Sequence, residues 1–152
     1  MTLNLCSGPF PMKGTINADI RKYQGTDVVC DAKALPFKNN SFDKIYFIHS
    51  IEHFSYDEGI DICKNLLNKL KPKGRVWIEG PDISKCSGNP EYIFGSLQEI
   101  RRDELYRHKW GYSDLSISRN LAFLGYSIVE VSLGTYHGMP HRDYRVIGEK
   151  HG

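Results

Sequence analysis

Two stretches of this chain end a short β-branched run on a carboxylate: Thr15-Ile-Asn-Ala-Asp19 and Asp27-Val-Val-Cys-Asp31. A third, Asp43-Lys-Ile-Tyr-Phe-Ile-His49, is nearly continuous in apolar and aromatic residues. Such runs suit strands buried on both faces of a parallel sheet. A glycine-bearing turn, Cys6-Ser7-Gly8, closes the first strand-like run. Carboxylates at strand ends, beside a turn whose glycine allows close backbone approach, point to a crevice at the carboxyl edge of an open α/β sheet. Nucleoside-like ligands bind there.

Strands are expected at Thr2–Cys6, Thr15–Ile20, Thr26–Cys30, Asp43–His49 and Arg75–Glu79, with Tyr46, Phe47 and Trp77 in the core. A helix is expected over Tyr56–Leu70, with Ile60, Cys63, Leu66, Leu67 and Leu70 on its apolar face. Lys71-Pro-Lys-Gly74 ends it with basic residues and breakers. Glu91–Tyr106 reads as partly helical. Ser113–Phe123 reads as a helix with Leu115, Leu121 and Leu124 inward, together with Ile117 or Ser118. Gly125 follows it as a C′ residue. Tyr126–Leu133 and Asp143–Glu149 alternate like antiparallel strands, joined by a polar loop at Gly134–Arg142. The expectation is one α/β domain with a mostly parallel sheet and an antiparallel C-terminal hairpin.

The 152 residues fit one ordinary domain. A net charge of +2, with acidic and basic residues interleaved, gives no reason to expect a nucleic-acid partner. No apolar run reaches the length of a membrane span, and the first residues enter a strand pattern directly, so neither a membrane anchor nor a signal peptide is expected. The four cysteines, Cys6, Cys30, Cys63 and Cys86, form no C-x-x-C pair. A metal or disulfide framework is not expected, and a cytoplasmic location is.

In order and spacing these segments resemble the class I S-adenosylmethionine-dependent methyltransferases, particularly small members of the type 11 kind. Leu3-Asn-Leu-Cys-Ser-Gly8 resembles their first motif, Ile16-Asn-Ala-Asp19-Ile20 the acidic end of their second strand, and Asp31-Ala32 with Leu35-Pro36-Phe37 their third-strand motif. Ser41-Phe42-Asp43 through Ile51-Glu52-His53 resembles the fourth strand, and Leu67–Pro72 with Gly74 the step into the fifth. The resemblance implies a Rossmann-like fold and S-adenosyl-L-methionine as cofactor. It places Leu5, Cys6, Ser7 and Gly8 under the methionine part, Asp19 at the ribose hydroxyls, and Asp31 at the adenine amino group with Ala32 beside the ring. His49 and Ser50 fall near the sulfonium and the acceptor. The acceptor it implies is a small molecule, such as a sugar or surface-glycan precursor. His49, then His108, are the candidate bases if the acceptor is a hydroxyl.

The chain also departs from that pattern. Only Gly8 occupies the first-motif turn, and Pro9–Thr15 are seven residues, two of them proline. The usual helix between the first two strands does not fit there. A short chain without the N-terminal helices that often cover such a site leaves apolar surface that a second copy would hide, so a homodimer is expected. Asp19 also reads as a solvated strand end, Asp31 as a turn cap, and Gly8 as a plain turn glycine. His108-Lys109-Trp110 reads equally as acceptor-pocket lining or as a surface loop with one buried Trp. His137, His141, Arg142 and Asp143 read as a polar hairpin connection. Two further functions stay open: a cofactor-binding module without turnover, and a zinc hydrolase built on His49, Glu52 and His53, which match H-x-x-E-H.

Overall fold

The switch in strand order at β1 is what places a crevice in this molecule. The structure is a computed structural model; it describes residues 1–152 apart from 87, 88, 90, 92, 93, 137, 139 and 140. The strands are β1 (Thr2–Leu5), β2 (Ile16–Asp19), β3 (Val28–Val29), β4 (Phe42–Ile48), β5 (Leu70–Pro81), β6 (Tyr126–Leu133) and β7 (Asp143–Lys150). They form one seven-stranded sheet in the order β3-β2-β1-β4-β5-β7-β6. The pairs from β3 through β5 are parallel, and β7 runs antiparallel to both β5 and β6. The expected architecture is therefore present. The chain leaves β1 toward β2 on one side and later returns to place β4 on the other, so the carboxyl ends of β1 and β4 part there.

Among the described residues, three α-helices have defined bounds: α1 (Tyr56–Lys69), α2 (Leu97–Arg102) and α3 (Asp114–Phe123). Ser55 and Glu58 close a capping box on α1, and Ser113 and Ser116 close one on α3. Each satisfies amide donors left open by the first turn. Gly125 takes φ +99° just past α3, as a C′ glycine should. The faces differ from expectation. On α1 the buried residues are Gly59, Ile62, Cys63 and Leu66, with Ile62 in place of Ile60. On α3 they are Ile117 and Leu121, while Leu115 is exposed. Both helices contribute to one core with Leu3, Leu5, Ile45, Phe47, Val76 and Ile78. Tyr126 Oη ties the start of β6 to α1 by donating to the Cys63 carbonyl at 2.7 Å.

The opposite face of the sheet is built differently. Phe47 is buried as expected, but Tyr46 and Trp77 are only half-buried, with ring centroids 5.6 Å apart and Lys44 Nζ 5.0 Å above the indole. Side chains alternate along a strand, so Tyr46 and Trp77 face away from the core residues beside them. Between β1 and β2 the described backbone forms turns and no helix. Two buried amides take over there. Asn4 Nδ2 donates to Asn17 Oδ1 at 2.9 Å, Met12 N–H donates to the same oxygen at 2.7 Å, and Asn17 Nδ2 donates to the Met12 carbonyl at 3.1 Å. These bonds satisfy backbone groups of the Pro9–Thr15 link that a helix would have satisfied internally.

Candidate functional site

At the carboxyl ends of β1, β2 and β4 lies a cavity of about 410 Å³, within the usual range for small-ligand sites. Cys6, Ser7, Gly8, Asp19, Asp31 and Ala32 line it, as do His49 and Ser50. Leu5 lies beneath them, fully buried in β1. The residues singled out from the sequence as cofactor-binding thus converge on one hollow.

The first turn is held in shape by its neighbours. Cys6 and Gly8 both take positive φ, +56° and +52°. A Cβ at Gly8 would meet no protein atom within 4 Å, so only its backbone angle favours glycine there, and the space above it is open. Gly8 N–H donates to Asp19 Oδ2 at 2.8 Å, and Arg21 N–H donates to Asp19 Oδ1 at 2.9 Å. Each carboxylate oxygen keeps a lone pair for a further donor. Asp31 Oδ1 accepts from Lys33 N–H at 2.9 Å, a turn cap that leaves its second oxygen to the cavity. The two readings of Asp31 are compatible.

Ser7 Oγ is buried against the cavity and has no hydrogen-bond partner among the described residues. A buried hydroxyl without a partner is costly unless something else supplies one. The carboxylate or ammonium of an amino-acid-bearing ligand would do so. Mostly apolar walls, two strand-end carboxylates for hydroxyl and amino donors, and this hydroxyl together suit S-adenosylmethionine. Cys6 adds no nucleophile here, because burial and the Asp19 carboxylate push its thiol well up.

Two ion pairs span the rim. Arg21, after β2, pairs with Asp103 after α2, and Lys33 Nζ lies 3.0 Å from Glu58 of α1.

His49 occupies the floor, in a left-handed conformation of φ +47° just past β4. Its Nε2 lies 3.1 Å from Asp143 Oδ2 and its Nδ1 3.5 Å from Glu52 Oε1. Burial alone would push this imidazole down. The two facing carboxylates outweigh burial and hold it up at about 9. The same balance acts in reverse on Glu52 and Asp143: burial raises them, but the imidazole wins and holds each down at about 2, with help from Arg142 at Asp143. Arg142 Nη2 donates to Asp143 Oδ2 at 2.8 Å. Ser50 Oγ is turned back to the Ile48 carbonyl at 2.8 Å.

A second cavity, of about 440 Å³, adjoins the first and shares His49, His53, Glu99 and Tyr106 with it. His108 lines this second cavity, along with Glu52, Glu99 and Arg142. Lys109 lines the first, whereas Trp110 is half exposed and packs on Tyr56 with centroids 5.2 Å apart, outside both. His49, Glu52 and His53 do not share a helix: His49 ends the β4 run and Ile51–His53 is a single 3₁₀ turn. The i, i+4 helical geometry of an H-x-x-E-H zinc motif is therefore absent.

Three residues that shape this floor escape a sequence reading. Asp143 is fully buried against His49, although it reads as part of a polar loop. Glu79, also buried, accepts from Thr135 N–H at 3.1 Å, Tyr136 N–H at 3.2 Å and Arg145 Nε at 2.6 Å. That draws Tyr136 over the cavity, its ring centroid 6.2 Å from that of His49. The signal for Glu79 was its position ending a strand. His137 lies outside the described residues, and His141 is exposed.

Residues 11–78 match the sequence profile of the methyltransferase domain family. No curated protein matches the chain in sequence. Among solved structures, the PH0226 protein from Pyrococcus horikoshii OT3 aligns with TM-score 0.71 and 20% identity over 98% of this chain and 81% of its own. The Burkholderia thailandensis 1,6-didemethyltoxoflavin-N1-methyltransferase, solved with 1,6-didemethyltoxoflavin and S-adenosylhomocysteine, aligns with TM-score 0.72 and 12% identity over 99% and 71%. A SAM-dependent methyltransferase from Archaeoglobus fulgidus aligns with TM-score 0.70 and 16% identity over 98% and 85%.

Proposed function

We propose that the chain is a class I S-adenosylmethionine-dependent methyltransferase, a reading supported by the methyltransferase-domain match over residues 11–78 and by the likeness of fold, and that it methylates a small hydroxylated acceptor held in the second cavity. The observation that carries this reading is the convergence of Asp19 and Asp31 on one cavity beside the Gly8 turn. Asp19 would accept from the ribose hydroxyls, and such charge-assisted bonds are strong. Asp31 would accept from the adenine amino group, with Ala32 against the ring. Leu5, Cys6, Ser7 and Gly8 would hold the amino-acid end, with Ser7 Oγ gaining its missing partner.

The bound cofactor supplies a methyl carbon on a positively charged sulphur, already activated toward a nucleophile. The residues of this chain therefore have mainly to position. His49 and His53 line both cavities and form the partition between them, with Ser50 on the cofactor side, where acceptor and methyl would meet in line. His49 presents both ring nitrogens to carboxylates, so it orients this partition and does not take a proton. A proton released by a hydroxyl acceptor would pass into the second cavity and on to solvent. The polar lining there, with Glu52, Glu99 and Arg142, suits a hydroxyl-rich molecule such as a sugar or glycan precursor.

Incubation with methyl-labelled S-adenosylmethionine and a panel of sugars, sugar nucleotides and phenols tests this. Label on one acceptor, with one equivalent of S-adenosylhomocysteine, is the expected result. Cofactor binding with no transfer to any acceptor would contradict turnover. The reading also includes a homodimer, supported by Val129 and Val131 exposed on edge strand β6, and a cytoplasmic location, supported by four free cysteines. Sedimentation at micromolar concentration tests the dimer.

A further inference from the structure

We propose that Glu52, His53 and His108 form a site for a divalent transition-metal ion of the zinc class, set in the wall between the two cavities. One ligand atom from each lies within 4.8 Å of the other two. An ion holds such ligands at about 2.0–2.2 Å, so tetrahedral ligands stand about 3.4 Å apart. Closing the remaining distance asks only for small rotations of two half-buried imidazoles.

The surroundings are those of a ligand set. Glu52 is 4% exposed, and its Oε2 has no hydrogen-bond partner among the described residues. Its Oε1 faces His49 Nδ1 at 3.5 Å, the outer contact that a ligating carboxylate usually has. His53 Nδ1 lies 3.3 Å from the Arg107 carbonyl oxygen. A backbone carbonyl there assigns the ring hydrogen to Nδ1 and leaves Nε2 as the metal-binding nitrogen, the arrangement common to metal-bound histidines. Two chain segments are clamped so that the groups face each other. Lys109 N–H and Trp110 N–H both donate to the Glu52 carbonyl, at 2.7 and 3.3 Å, and His108 N–H donates to the Phe94 carbonyl at 3.2 Å. The His53 and His108 rings meet edge to face with centroids 5.0 Å apart.

Two imidazoles and one carboxylate suit zinc and its neighbours better than magnesium or calcium, and they leave coordination positions open. The shared wall position, with His53 lining both cavities, puts those open positions beside the acceptor. The site's role rests on the methyltransferase reading, though its existence does not. An acceptor hydroxyl bound to the ion would lose its proton to solvent near neutral pH, as metal-bound water does. Its oxygen would then form the new bond to the methyl carbon while the carbon–sulphur bond breaks and its electron pair stays on sulphur. This narrows the acceptor class to alcohols and phenols able to reach the ion through oxygen.

Calorimetric titration of chelator-treated protein with Zn²⁺, and of the same protein with Co²⁺ followed by visible absorption, tests the site. One equivalent should bind, with Co²⁺ absorption of a four- or five-coordinate nitrogen–oxygen site. His108→Ala and His53→Ala should each weaken binding by about tenfold or more, while His151→Ala should not. Circular dichroism melts of each variant control for folding. Absence of binding by folded protein, or stoichiometric binding unaffected by both His108→Ala and His53→Ala, would overturn the proposal. S-adenosylhomocysteine titrated into the same samples separates the two readings: nucleoside binding without zinc binding sinks the metal site alone, and zinc binding without nucleoside binding sinks the cofactor assignment alone.

Discussion

The Gly8 amide donates to Asp19 Oδ2 at 2.8 Å, so the turn after β1 and the end of β2 are fixed to each other by the carboxylate that also faces the cavity. Asp19 therefore has a double task. Asp19→Ala should lower affinity for S-adenosylhomocysteine by about ten- to a hundredfold, the range for losing charge-assisted hydrogen bonds. Asp19→Asn, which keeps an acceptor oxygen for one of the two amides, should lose less. Titration calorimetry on both variants checks the order.

His49 links stability to pH. Its folded-state value is held up at about 9 by Asp143 and Glu52, above its ordinary value of 6.5. A raised value means that the stabilisation is complete below about pH 6.5 and lost as pH rises through 9. The urea midpoint of chelator-treated protein should therefore fall between those limits. His49→Gln should be less stable at pH 6 and should show a flatter decline. An unchanged slope in His49→Gln would place the titration elsewhere.

The buried face of α1 passes through Ile62, fully buried, and not through Ile60. Ile62→Ala should cost about 2–4 kcal/mol, as truncations in packed cores do. Ile60→Ala should cost less than half as much. Denaturant melts of the two variants decide between the two helical phases.

Asn17 gathers donors from Asn4 and Met12 on one side-chain oxygen. Asn17→Leu fills the space but strands those donors. It should destabilise by about 2–3 kcal/mol, the cost of leaving buried polar groups unpaired. Hydrogen exchange at Met12 should accelerate. An Asn17→Leu protein as stable as the parent would mean that the Pro9–Thr15 link is held by something else.

Most strands, the two longer helices and the acidic strand ends were legible because each rests on local chemistry, while the resemblance to a known family supplied the rest of the cavity's residues. Alternation and β-branched runs mark strands, apolar residues at helical spacing mark the helices, and carboxylates at strand ends mark the crevice. Long-range closure was not legible. Tyr46 and Trp77 carry the composition of a core, yet they lie on the face where Asn4 and Asn17 brace a turn link. Asp143 is far from His49 in sequence and meets it only because β7 inserts beside β5. Glu52 and His53 were visible as a motif, but the imidazole that lies beside them is His108, brought in by backbone hydrogen bonds of Lys109 and Trp110.

Everything proposed for the first cavity depends on its holding an adenosine with an amino-acid tail. Titration of the folded protein with S-adenosylhomocysteine measures that directly. The account predicts saturable one-to-one binding in the micromolar range; no heat and no thermal stabilisation at millimolar ligand would contradict it.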